Sequence, residues 1–486
     1  MEKVMVGDVV SEGIPGVASR SSREVIRAVC EEFEEFGEEI VSEDPLGWPG
    51  YEEQLEKAEE KSGERESVIT GEAEIGGTPA VVIAFDFGFL GGSMGEAAGK
   101  KIVAAFERAV EKRRAVVSLV ATGGARMQEG TRSLVQMQNV AEAISKARDA
   151  GVPHISVLRH PTTGGVWASL AAAADYIIGI KGASVSFAGS RVRSAERGAD
   201  EDDAFTASGK FRDGFIDMEA GPEELPEKLA RVLALLSPDA GEGGSEPPVP
   251  RALGGRRAPR KAWAAVARAR RPHKPGAQAY LEKYFDHRVD ISGDRVGGVD
   301  GGMICGFGSK EGRTIAYAAQ TGTANAAAGF RTAKRLIETA DRLRIPVLTL
   351  IDTPGAGNEA KDEREGIGTA IAELFLTVAE AEAPMTSLVI GEGGSGGALA
   401  LAAPDNLWIT PDSYFAVIAP EGAAAIIEKD ASKAEEVSER MMLRPRDLVE
   451  LGVVKGIAST RGHPARVLKM PYDIVRRWVT GRKECA

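Results

Sequence analysis

Two stretches of this chain place glycine-rich turns at nearly the same intervals, and that coincidence restricts the fold more than any other feature. In the first, the apolar run 115–120 ends at Thr122-Gly123-Gly124, and a helix-like stretch covers 131–150. A strand over 154–158 then leads to Gly164-Gly165, which opens an apolar helix over 166–174, and a further strand ends at Phe187-Ala188-Gly189. In the second, the run 347–351 ends at Thr353-Pro354-Gly355 and a helix-like stretch covers 367–381. A strand over 386–390 leads to Gly396-Gly397 before Ala398-Leu399-Ala400, and a last strand ends at Ile418-Ala419-Pro420. Gly124 to Gly165 is 41 positions and Gly355 to Gly397 is 42; Gly165 to Gly189 is 24 and Gly397 to Pro420 is 23. Matched order and spacing predict two copies of one unit. Runs of β-branched residues alternating with amphipathic stretches make each copy α/β.

The rest of the chain is organised around these copies. At 486 residues it is long enough for several domains, each with its own core. Residues 1–65 are rich in acids, as in Glu31-Glu32-Phe33-Glu34-Glu35-Phe36-Gly37-Glu38-Glu39, and read as a helical, exposed region. The first α/β domain is expected over 66–236 and the second over 277–486. Between them, 237–276 (SPDAGEGGSEPPVPRALGGRRAPRK and on) mixes Pro, Gly and Arg and reads as a linker.

A net charge of -12 is the opposite of what a binder of phosphate backbones needs, so nucleic acid is not an expected partner. Cys30, Cys305 and Cys485 are too few and too scattered for a disulfide framework or a thiolate zinc site, which points to a reducing compartment and no metal. The longest apolar segment, 164–180, contains Asp175 and is too short to span a bilayer, so a soluble, cytoplasmic protein without membrane contact is expected. None of the five histidines has metal-helix spacing, and the chemistry is expected to proceed without histidine.

A strand that ends in Gly-Gly before a helix brings bare backbone to the mouth of a cleft. The first N–H groups of the helix have no partner of their own, and the helix dipole adds positive potential. One such donor from each of two facing loops makes a site for a developing oxyanion, where each is worth about 2.7–4 kcal/mol of barrier. Two copies imply two such holes, suited to a reaction with two carbonyl-type partners. No P-loop is present, so no ATP site is expected, and Gly394-Ser395-Gly396 lacks the spacing of a nucleophile elbow.

With these residues in view, the chain resembles the carboxyltransferase component of bacterial acetyl-CoA carboxylase. DPLGWPGYEEQLEKAEEKSG, FDFGFLGGSMGEAAGKKIV, TGGARMQEG, PTTGG and SFAGSRV look like successive landmarks of its β subunit. SGDRVGG, GFRTAKRLIETADR, IPVLTLIDTPGAG, GEGGSGGALA and APEGAAAIIEKDA look like its α subunit in the same order. The resemblance covers roughly 44–236 and 262–460 and is that of a β-α fusion (acyl-CoA carboxyltransferase family). It implies two tandem crotonase-type (ClpP/crotonase-like) α/β domains and a homo-oligomer, with acyl-CoA held by the first half. Carboxybiotin, on a biotin carboxyl carrier protein charged by a biotin carboxylase, is held by the second.

Carried over by motif, Gly123, Gly124, Gly164 and Gly165 would hold the thioester enolate; Gly355, Gly396, Gly397 and Ala398 would hold the ureido oxygen of biotin. The resemblance implies that carboxybiotin releases CO2 and then removes the α-proton of the thioester, giving malonyl-CoA or a homologue. Arg126, Arg191, Arg193, Lys100 and Lys101 are candidate cations for the CoA phosphates.

Three departures stand out. The four-cysteine zinc ribbon of the β subunit is missing, with only Cys30 before Asp44. Ala356-Gly357-Asn358-Glu359-Ala360-Lys361 replaces the usual aromatic, Pro and Gly residues, and Arg159-His160 precedes Pro161. Two other readings stay open on these residues: a biotin-independent malonyl-thioester decarboxylase, and a non-catalytic subunit of a carboxylase complex.

Overall fold

The computed structural model describes residues 21–189, 203–238, 240–241 and 245–460. The chain divides into two compact units: the N-terminal part through Phe211 with Met218–Leu233, and Arg212–Asp217 with everything from Ala234 onward.

The first unit is built on β1 (Glu32–Phe36), β2 (Val68–Ile75), β3 (Thr78–Phe85), β4 (Ala115–Thr122), β5 (His154–Thr163), β6 (Tyr176–Ile180), β7 (Val185–Ser186) and β8 (Met218–Ala220). They form one sheet in the order β1-β2-β3-β4-β5-β6-β8, with β7 alongside β5. The pairs β1/β2 and β2/β3 are antiparallel, and the rest are parallel. The parallel part is covered by helices such as α1 (Glu96–Lys112) and α2 (Thr131–Asp149), and all eight residues of β4 are buried. Such an unbroken apolar run is what a strand covered on both faces requires.

The second unit repeats this plan. Its strands are β9 (His287–Ile291), β10 (Met303–Lys310), β11 (Arg313–Gln320), β12 (Val347–Thr353), β13 (Met385–Gly394), β14 (Leu407–Ile409), β15 (Tyr414–Ala416) and β16 (Gly456–Ile457). Their order is β9-β10-β11-β12-β13-β14-β16, with β15 alongside β13. Again two antiparallel pairs lead into parallel ones. The duplication inferred from glycine spacing is therefore a duplication of topology.

Two boundaries differ from expectation. The acid-rich stretch around Glu31–Glu39 is not helical: residues 32–36 pair with β2 as an edge strand, Phe33 opposite Ala73 and Glu35 opposite Gly71. Its Glu-Phe-Glu alternation has the period of a strand, and the Phe33 ring lies where a side chain on Gly71 would stand. The segment 237–276 is not a free tether within its described residues. It contributes the helix α3 (Ala262–Ala269), whose Ala262, Ala265, Val266 and Ala269 are buried against Tyr414, Ala416 and Leu443. Spacing at i, i+3, i+4 and i+7 in an otherwise Arg-rich stretch gives the helix one apolar face.

His154 sits at the start of β5, 2% exposed, with its ring edge-on to Phe106 and its Nε2 2.9 Å from Ser118 Oγ. Burial pushes its pKa down to about 4. An unfolded histidine titrates near 6.5, so the unfolded chain takes up the proton first and stability is lost as pH falls from about 6.5 towards 4. This amounts to about 2 kcal/mol by pH 5. The thermal midpoint of the first unit is expected to drop across this window, and His154→Asn should flatten the slope; an unchanged slope would remove His154 as its cause.

Candidate active site

The two glycine loops of each unit meet at the ends of the central parallel strands. In the first unit β4 runs out at Thr122 and β5 at Thr163, with Thr122 facing Thr162 in the ladder. In the second, Thr353 faces Gly393. This register corrects the correspondence expected from sequence by one residue. Gly165 matches Gly396, Gly164 matches Ser395, and Gly397 matches Val166. Counted this way, Gly355 to Gly396 is 41 positions and Gly396 to Pro420 is 24, so both intervals coincide between the copies. Ser395 confirms the match, since it takes φ +58° where Gly164 takes φ +72°.

Hydrogen bonding decides which N–H groups are available. Gly123 donates to Gly91 O at 2.8 Å and Gly164 to Phe187 O at 3.0 Å. Gly124 donates to Thr122 Oγ1 at 3.0 Å, and its counterpart Gly355 donates to Thr353 Oγ1 at 3.1 Å. At the position of Gly123 the second copy has Pro354, which has no N–H. Ala398 stands fourth in the short helix α4 (Ser395–Leu399), the last of the donors that a helix start leaves without an intrahelical partner.

Among the described residues, no acceptor meets the N–H of Ala125, Gly165, Ala356, Gly396 or Gly397. Ala125 and Ala356 are held from both sides. Met94 N donates to Gly124 O and Arg126 N to Met94 O; Asn325 N donates to Gly355 O and Gly357 N to Asn325 O. Each copy thus has amides without an acceptor on its facing loops, though not at all the glycines expected. Ala125 and Ala356, which sequence reasoning missed, have N–H groups without an acceptor, whereas those of Gly123, Gly124 and Gly355 are engaged. The absence of an N–H at Pro354 was the available signal.

The facing loops touch. A Cβ added to Gly164 would lie 2.8 Å from Gly124 Cα, and one added to Gly397 would lie 2.7 Å from Ala356 N and 3.0 Å from Gly355 C. A Cβ on Gly396 would meet nothing within 4 Å. Gly165 backs onto the Met137 side chain of α2.

The candidate cations divide. Arg126 is 1% exposed and closed in by carboxylates: Nη2 pairs with Glu66, and Nη1 lies 3.1 Å from Glu129 Oε1. It also donates to Ser93 O at 2.7 Å, while Tyr51 OH donates to Glu129 Oε1 at 2.8 Å. Burial opposes the charge on Glu66, but the Arg126 guanidinium wins and holds its carboxyl below the usual range. Arg126 therefore braces the loop from beneath and presents no cation to a phosphate. Lys101 is 4% exposed, and burial pushes its pKa down, so it too points away from a phosphate role. Lys100 is exposed one turn into α1, 2.9 Å from Glu96. Arg191 and Arg193 lie outside the described residues.

The unusual pair before Pro161 is held internally. Arg159 is buried with Nη1 donating to Phe85 O at 3.0 Å, and His160 Nδ1 accepts the Ser184 N–H at 3.1 Å.

Comparison with known proteins gives the family of the chain. Residues 259–466 match the family described as acetyl co-enzyme A carboxylase carboxyltransferase-like. The acetyl-coenzyme A carboxylase carboxyl transferase subunits beta/alpha of Salinispora arenicola is 40% identical over 444 residues, covering 85% of this chain and 77% of the relative. The protein of the same name from Saccharopolyspora erythraea is 36% identical over 448 residues, covering 88% and 78%. A solved structure of transcarboxylase 12S superimposes with a TM-score of 0.75 at 22% identity, covering 91% of this chain and 87% of that one, which establishes the crotonase-like carboxyltransferase fold. The chain belongs to the acetyl-CoA carboxylase carboxyltransferase family, in the form that carries β-like and α-like halves on one polypeptide.

Proposed function

We propose that the chain moves a carboxyl group between carboxybiotin and the α-carbon of acetyl-CoA or a related acyl-CoA, giving malonyl-CoA or a homologue. The observation that carries this reading is one constellation built twice: unpaired amides on facing loops, Ala125 with Gly165 and Ala356 with Gly396. Carboxyl transfer has two partners whose oxygen gains charge, the thioester and the ureido group, and preorganised backbone dipoles hold such charge without reorganising.

Ala125 and Gly165 would hold the thioester oxygen as the α-proton leaves. Ala356 and Gly396 would hold the ureido oxygen, with Gly397 letting their loops close to contact. When bound, carboxybiotin supplies both the carboxyl group and the base. This suits a chain whose His154 is neutral inside a sheet and whose His160 Nδ1 is engaged by Ser184. Lys100 remains a candidate for the CoA phosphates, together with Arg191 and Arg193.

Carriage of biotin on a separate carrier protein, charging by a biotin carboxylase, and a homo-oligomer complete the proposal. Support for self-association comes from large apolar side chains left exposed beside the loops: Met127 at 82%, Phe187 at 72% and Val417 at 79%. No helix among the described residues is long and apolar enough to cross a membrane.

The reverse direction gives the simplest test. Purified chain with malonyl-CoA should form acetyl-CoA in proportion to added biocytin, as the carboxyl group leaves the malonyl α-carbon for the ureido nitrogen and that nitrogen's proton goes to the α-carbon. CO2 loss that is indifferent to biocytin would replace this reading with the decarboxylase.

A further inference from the structure

The strands that carry Ala356 and Gly396 lose their register just before those residues. Ile351 faces Val389 and Thr353 faces Gly393, so Asp352 alone stands opposite Ile390, Gly391 and Glu392. Where the ladder is interrupted, side chains take over. The carboxylate of Asp352, 1% exposed, accepts the Glu392 N–H through Oδ1 at 2.9 Å, and the residue's carbonyl accepts Gly322 N–H at 2.7 Å. The other carboxylate oxygen pairs with Lys274 Nζ. Gly391 leaves the slot for this pair, since a Cβ there would overlap both the ammonium and the carboxylate.

One turn's length earlier in the same segment, Arg270 holds the other side. Its Nε lies 2.9 Å from Glu392 Oε2 and its Nη1 2.6 Å from Glu421 Oε1, while Tyr414 OH donates to Glu392 Oε2 at 2.6 Å. Two cations from the segment expected to be a linker thus fasten the base of the second donor pair.

The first unit serves as an internal control. It has the same interruption, between Val120/Leu158 and Thr122/Thr162, but there Ala121 faces Arg159, His160 and Pro161. The Lys-Asp pair is therefore not a requirement of the fold; it belongs to the copy assigned to the ureido partner.

We infer that Lys274 is a positioning residue for the second donor pair. Through Asp352 it sets the separation of the strand ends that carry Ala356 and Gly396. The inference rests on the carboxyltransferase reading, because it is that reading which gives these amides their work. A donor moved by a few tenths of an ångström loses much of its hold on a developing charge, so the loss should fall on one partner only.

The test is the biocytin-dependent reaction of the full chain with malonyl-CoA, each substrate varied in turn. Lys274→Met should lower kcat/KM for biocytin 10- to 100-fold while KM for malonyl-CoA stays within twofold, and Lys274→Arg should recover at least a third of the lost rate. Gly391→Ala, which keeps both charges in the chain, should give the same one-sided loss, and it decides the matter if Lys274→Met does not fold. Equal losses for both substrates, or unchanged kcat/KM for biocytin in a folded variant, overturn the inference. If the wild-type chain shows no biocytin dependence, the carboxyltransferase reading fails and takes the inference with it; wild-type turnover with indifferent variants sinks the inference alone.

Discussion

Gly397→Val should abolish carboxyl transfer while leaving acyl-CoA binding intact. The new Cβ alone would stand 2.7 Å from Ala356 N and 3.0 Å from Gly355 C. These are backbone atoms, which cannot turn aside as a flexible side chain would, so the two loops must part. Each lost donor to a developing oxyanion is worth roughly 10²–10³ in kcat, and parting the loops displaces the Ala356 and Gly396 amides together. We expect turnover at least 10³-fold below wild type. Overpacking a buried position costs about 1–3 kcal/mol, so the variant should still fold. Titration with acyl-CoA and steady-state turnover check the two halves of the expectation; retained turnover would show that the second hole lies elsewhere.

Arg126→Ala should act on stability instead. Removing the guanidinium strands Glu66 and Glu129, 1% and 2% exposed, as unpaired buried carboxylates, and breaking such a cluster from one side costs about 3–5 kcal/mol. At two to four degrees per kcal/mol for a unit of this size, the thermal midpoint should fall by roughly 10 °C. Lys at this position supplies one point charge in place of a fork that reaches both carboxylates, and should restore little. The fraction that stays folded should bind acyl-CoA with unchanged affinity, measured below the new midpoint. A selective rise in Kd without loss of stability would return Arg126 to the phosphate-binding candidates.

Much of the fold was legible because burial on both faces writes itself into composition. The continuous runs 115–120 and 347–351 became β4 and β12, extended only to the threonines at which the loops begin. The edge strand at Glu32–Phe36 was hidden because three of its five residues are glutamate, and acid density outweighed an alternation only three residues long. The helix at Ala262–Ala269 was hidden by its flanks, since Pro, Gly and Arg around it dominate any window.

In the candidate site, the close approach of the glycine loops was legible, but the amides left without an acceptor are not all at those glycines. A glycine marks where chains approach, whereas a free N–H depends on which neighbour has already claimed it. That is settled by Thr122 Oγ1, Gly91 O and Phe187 O, none of which is visible from the motif. The one-residue offset between Gly396 and Gly397 had the same root: four glycines around one serine offered two alignments, and only the ladder pairing of Thr353 with Gly393 chooses.

The paired loop tips have an evolutionary corollary. An amide is the one functional group every residue except proline carries, so a centre made of amides has no signature side chain to lose. On the proposed reading, what such a gene must preserve is room where the turns of chain touch, at Gly164 in one copy and at Gly397 in the other. On that reading, duplicated copies can exchange almost every side chain and come to serve different molecules while the backbone geometry that steadies an oxygen's charge is kept.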